Sequence, residues 1–148
     1  IRPTKKEFES FVLLLDKFLS ENIDRKFFQE WVSLEEETED KKGHIQVVQK
    51  GSLRLLQEWI STWNFPDPKP AQEMIEIFKK IRKMRQSPAH KLEDNVFSQE
   101  YIENQQKLMV EAYKGIRTLR LILSNLKSVE GYKSTLPGWL IEGKICSY

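Results

Sequence analysis

The chain has 148 residues, 31% of them charged, with a net charge of +2. Four Trp, four Tyr and eight Phe, with many Leu, Ile and Val, are enough to build the core of one domain of this size. No apolar run approaches the ~20 residues that span a bilayer and no signal-peptide pattern opens the chain, which argues against a membrane protein.

Cys146 is the single cysteine. It cannot form an internal disulfide, which fits a cytoplasmic location. The chain opens on Ile1 rather than Met, so residues 1–148 are expected to be one domain forming the C-terminal part of a longer protein.

Thr4-Lys5-Lys6-Glu7 has capping-box spacing. Phe8, Phe11, Val12, Leu15, Phe18 and Leu19 follow at steps of three and four, which predicts a helix over 4–20 with one buried stripe. Asn22 and Asp24 break it. Phe27, Phe28, Trp31 and Val32 are apolar but too few to assign by period.

Over 32–50 the pattern changes. Leu34, Glu36 and Thr38 alternate with Glu35 and Glu37, Ile45 and Val47 alternate with Gln46 and Val48, and Asp40-Lys41-Lys42-Gly43 lies between them. A β-hairpin is expected, with a glycine where positive φ is wanted; an interrupted helix is the competing assignment. The acidic run Glu35 to Asp40 reads as a solvated strand edge or turn, since no histidine or further acid stands at metal-ligand spacing around it. His44 reads as a surface residue.

Ser52 is the expected cap of a helix over 52–63 whose apolar side is Leu53, Leu55, Leu56, Trp59, Ile60 and Trp63. Pro66, Pro68 and Pro70 make a stiff connector. A helix then opens at Pro70 or Ala71 and runs to about Gln86, with Met74, Ile77, Phe78, Ile81 and Met84 inward. Pro88 disfavours helix at Ser87 and ends it.

Ser98 is placed to cap the longest helix, ending near Leu126, about 43 Å at 1.5 Å per residue. Its stripe is Tyr101, Gln105, Leu108, Ala112, Ile116, Leu119, Leu123 and Leu126. Gly131, Pro137 and Gly138 make 129–148 an irregular tail, with Leu136, Trp139, Leu140 and Ile141 packing back on the body. The fold class expected is all-α, a four-helix bundle with a small inserted β-hairpin around residues 32–50.

From Ile77 to Leu92 there is no acid, while Lys79, Lys80, Arg82, Lys83, Arg85 and Lys91 are all cationic. Arg82 and Arg85, three apart on a helix, share a face and can grip one phosphate or two adjacent ones. Such a patch attracts a polyanion without reading its bases; its bland counterpart is a solvated basic face. His90 follows across Ser87-Pro88-Ala89. An imidazole titrates near neutrality and can carry protons in phosphodiester cleavage, and an arginine stabilises charge on the phosphorane. RNA brings its own 2′-hydroxyl nucleophile, so Arg85 and His90 suffice chemically without metal or cofactor; the plainer role for His90 is a cap or a packing residue.

An arginine, four residues and a histidine at a helix–turn–helix junction resembles the HEPN superfamily. The spelling Arg82-Lys83-Met84-Arg85-Gln86-Ser87-Pro88-Ala89-His90 is similar to one bacterial branch of it. So are Gly51-Ser52-Leu53-Arg54-Leu55-Leu56-Gln57-Glu58-Trp59 and Ala112-Tyr113-Lys114-Gly115-Ile116-Arg117-Thr118-Leu119-Arg120, and the likeness spans roughly residues 20–148. The resemblance implies a helical bundle that dimerises to bring two such motifs into one cleft. Many members are metal-independent endoribonucleases of toxin–antitoxin and phage-defence systems that leave 2′,3′-cyclic phosphates. Arg85 and His90 would be catalytic, with Arg82, Lys83, Gln86 and Lys91 on the RNA. Gln86 departs from the asparagine, aspartate or histidine usual beside the arginine, keeping an amide with a longer reach. Other members have lost cleavage and act as nucleotide-binding or dimerisation modules. The partners implied are RNA, a second copy, and an upstream domain or cognate inhibitor; no metal, cofactor or membrane is implied.

Other chemistries lack a signature. Nucleophile motifs built on Ser, Cys or Asp, a glycine-rich phosphate loop and Cys/His zinc spacing are absent. Arg117 and Arg120 would either line the same cleft or pair with Glu93 or Glu100. Trp59 and Trp63 are core by period, or mark the dimer face where exposed.

Overall fold

The computed structural model describes residues 2–86, 95–131 and 135–142. The helices are α1 (Lys5–Glu21), α2 (Ser52–Ser61), α3 (Lys69–Gln86), α4 (Glu100–Leu123) and the short α5 (Gly138–Ile141), with 3-10 turns at Arg25–Glu30 and Lys127–Val129. Strands β1 (Glu35–Glu39) and β2 (Ile45–Gln49) pair antiparallel, so the chain is mostly helical with the expected hairpin. It divides into two compact units, Ile1–Asp16 with Lys69–Tyr148, and Lys17–Pro68.

In the first unit α3 packs on α4. Pro70 sits in the first turn of α3, where the missing N–H of proline costs no helical bond. The buried side of α3 is Ala71, Met74, Ile75, Phe78 and Ile81; Ile75 takes the place expected of Ile77, which with Met84 is only half-buried. On α4 the buried positions are Leu108, Ala112, Gly115 and Ile122. A Cβ on Gly115 would lie 2.8 Å from the Phe78 ring, so glycine is what lets that ring close on the α4 backbone. Lys80 Nζ donates to Glu111 Oε2 across the same pair of helices.

The N-terminal segment is tied to the segment before α4. Thr4 bridges Phe97, Ser98 N donates to Pro3 O at 2.8 Å and Lys5 N donates to Val96 O at 3.0 Å. Half of the expected capping box forms: Glu7 N donates to Thr4 Oγ1, while the Glu7 carboxylate accepts from Arg2 N instead of Thr4 N. Phe8 lies against Tyr101 at 5.9 Å between ring centroids. The tail behaves differently along its length. Leu140 is half-buried, its carbonyl accepting from Tyr113 Oη, whereas Leu136 and Trp139 stay exposed.

The second unit is organised by aromatics. Phe27, Phe28, Trp31 and Trp63 all ring Trp59, at centroid distances from 5.2 to 6.2 Å and edge-to-face at 61–78°. Trp59 is fully buried and, among the described residues, its Nε1–H has no hydrogen-bond acceptor. Edge-to-face packing supplies the favourable contact there. Phe27 and Phe28, unassignable by period, lie in the 3-10 turn Arg25–Glu30, which ends on Trp31 as C-cap and is capped at its start by Asp24, whose side chain accepts from Lys26 N.

The hairpin register sets Glu37 opposite Val47 and Glu39 opposite Ile45. Gly43 has φ +82°, as the turn demanded. Asp40 Oδ1 accepts from Lys42 N and His44 N, and these backbone N–H groups, His44 first, hold its carboxyl below the usual value. Arg25 joins the 3-10 turn to the hairpin through Gln49 Oε1 and Leu34 O. Lys50 and Arg54 both bind Glu58, and Arg54 also reaches Glu36. The hydrogen bond from Lys50 is the main reason the Glu58 carboxyl sits below its usual value.

Several boundaries differ from expectation. Gly51, not Ser52, is the N-cap of α2, and Ser52 is its first helical residue. The longest helix begins at Glu100 and ends at Leu123, three residues short of Leu126, although Ser98 Oγ still accepts from Glu100 N. On α1 Phe18 is exposed, and the polar residue Asp16 takes a buried place beside Val12 and Leu19. The turn Ser87-Pro88-Ala89 lies outside the described residues.

Candidate functional site

Asp16 organises the cationic end of α3. It falls four residues after Val12 and three before Leu19, both buried, so helical geometry carries it into the apolar face of α1. Its side chain is 2% exposed. Burying a carboxylate is costly without charged partners, and α3 supplies two. Arg82 Nε donates to Oδ1 at 3.2 Å and Arg85 Nη1 to Oδ2 at 2.8 Å. Arg82 and Arg85 therefore share a face, as their spacing implied, but a protein carboxylate stands between them.

The two guanidinium groups are not equally committed. Arg82 is 29% exposed and Arg85 49%. A guanidinium has five N–H donors in a rigid fork, and Asp16 takes one from Arg85. The remaining donors suit a phosphate oxygen, and the bond to Asp16 limits the rotamers that would otherwise be lost on binding. Lys83 and Arg85 in the last turn of α3 also complement the negative end of its dipole.

Two depressions meet at Met84. One, about 460 Å³, is lined by Phe8, Val12 and Leu13 of α1 with Met84 and Arg85 of α3. The other, about 670 Å³, is lined by Lys79, Lys80, Lys83 and Gln86 with Glu76. Lys83 and Gln86 are thus together on an exposed basic trough, with Arg82 turned to Asp16 and outside both linings. Lys79 pairs with Glu76 at 3.0 Å and Lys80 with Glu111, so much of the trough's charge is answered locally.

His90 and Lys91 lie outside the described residues. Arg117 is exposed and Arg120 half-buried on α4, and neither lines the two depressions. Among the described residues no three of His, Cys, Asp and Glu group as metal ligands, and no helix is long and apolar enough to cross a membrane. Sequence reading passed over Asp16, although an acid at an apolar-period position was its signal. The chain matches no family model, no curated protein and no solved structure.

Proposed function

We propose that the protein is a HEPN-like, RNA-cleaving domain: a metal-independent endoribonuclease of toxin or phage-defence type, built as a four-helix bundle and active as a homodimer. The observation that carries this reading is Arg85, anchored on the buried Asp16 with about half its side-chain surface outward, five positions before His90. The basic trough of Lys79, Lys80 and Lys83 beside it suits an RNA backbone. Exposed Met109, Val110 and Leu121 on α4 offer apolar surface to a second copy.

In this mechanism His90 takes the proton of an RNA 2′-hydroxyl, whose oxygen attacks the adjacent phosphorus. Arg85 stabilises the charge on the non-bridging oxygens. The bond to the 5′-oxygen breaks, that oxygen takes a proton from water, and the products carry a 2′,3′-cyclic phosphate and a 5′-hydroxyl. Arg85→Ala and His90→Ala are each expected to lower cleavage of RNA in chelator by about 10²-fold or more, with the fold intact by circular dichroism. Cleavage unchanged by both substitutions, or strictly dependent on added divalent metal, overturns this reading.

One observation favours a second reading. Asp16 neutralises part of the charge of both arginines, which suits a module that holds a nucleotide without cutting it. That module would bind RNA with a steep salt dependence and never produce cyclic-phosphate ends.

A further inference from the structure

The depression between α1 and α3 differs in kind from the basic trough. Its lining divides by chemistry into an apolar part (the floor), Phe8, Val12, Leu13 and the thioether of Met84, and a polar part (the rim), Lys6, Glu9, Ser10 and Arg85. About 460 Å³ falls within the range of roughly 300–1,000 Å³ typical of small-molecule sites. The apolar floor is short and bounded by ionic groups, which does not suit an acyl chain or a partner helix. A flat heterocycle with one attached anion fits both parts.

We propose that this depression is a seat for one nucleotide of the bound RNA, with the base on the apolar floor and its phosphate on Arg85 and Lys6. The inference rests on the RNA reading above and deepens it. Phe8 supplies the stacking surface and its contact with Tyr101 holds the ring in place. Met84 adapts to the shape of the base. Ser10 Oγ already donates to Lys6 O, which leaves its lone pairs as acceptors for base N–H groups. Glu9 repels a second phosphate at the same rim, which limits the seat to one base and one phosphate. Met84 also lines the basic trough, so the chain beyond the seated base continues over Lys79, Lys80 and Lys83.

The test uses the full chain and titrates AMP, GMP, adenosine and inorganic phosphate by NMR or calorimetry. A nucleoside monophosphate is expected to bind at least about tenfold more tightly than the nucleoside or phosphate alone. Leu13→Asp, at a half-exposed groove position, should weaken the monophosphate and adenosine by about tenfold, and inorganic phosphate by less, through charge repulsion alone. Leu14→Asp, exposed and outside the lining, should change neither and controls for folding. Arg85→Gln should bring the monophosphate down to the affinity of the nucleoside. Monophosphate binding no tighter than phosphate, or indifferent to Leu13→Asp, overturns the seat even where Arg85→Ala abolishes RNA cleavage. Leu13-dependent binding in a protein that never cuts RNA keeps the seat and removes the nuclease.

Discussion

Each of the two compact units contains a carboxylate shared by two cations, built in opposite senses. In the first, Asp16 is the buried member at 2% exposure, and Arg82 and Arg85 reach outward from it. In the second, Lys50 is the most covered member at 10% exposure, while Glu58 is 31% exposed and Arg54 reaches on to Glu36 of the hairpin. Burying the anion leaves guanidinium donors facing water, where an incoming anion can take them. Burying the cation turns the positive charge inward, where it fastens α2 to the strand end. The same three charges thus make a receptive surface in one place and a structural clasp in the other.

Asp16→Asn should produce the largest change in stability. It keeps the shape of the side chain but removes the charge both arginines answer. A loss of about 2–3 kcal/mol in urea unfolding is expected, below the full cost of breaking a buried pair because the arginines can reach water. RNA affinity should fall with it as Arg85 loses its anchor, and unchanged affinity would show that Asp16 does no positioning.

Glu58→Gln should cost less, about 1 kcal/mol or below at neutral pH. Its signature is in the acid limb. The Glu58 carboxyl is held below its usual 4.5, chiefly by Lys50, so its contribution is present above that value and lost as pH falls through the lower folded value. The Gln variant should show a shallower loss of stability below pH 4.5, and an unaltered acid limb would mean that the clasp carries no linked proton.

Asp40→Asn should do least. Asp40 is likewise held low, by the backbone N–H groups of His44 and then Lys42, so its contribution disappears in the same direction on acidification. The change should be confined to hairpin resonances in an NMR titration, and spread into the α2 signals would contradict it.

The hairpin was legible because alternation and a turn glycine are local signals: Gly43 and the Glu37–Val47 pairing need nothing from the rest of the chain. The start of α3 was legible for a similar reason, set by a proline connector. Side-chain burial was less so. Ile75 and Ile77 both continue an apolar period, and only the packing of α3 on α4 chooses between them. Asp16 escaped because a search for apolar stripes skips an acid, although its spacing from Val12 and Leu19 placed it on the buried side. The spacing of Arg82 and Arg85 puts them on one face, but the group they converge on, Asp16, lies 66 residues before Arg82 along the chain. No local pattern carries that information.

The missing side chain at Gly115 makes α3 sensitive to wedging. The Phe78 ring edge occupies the volume a methyl group would claim, and Phe78 is one helical turn before Arg82. An alanine at 115 would act as a shim under the middle of α3, tilting its cationic end away from the carboxylate on α1. The alignment of that end is therefore set from α4, by an atom that is not there.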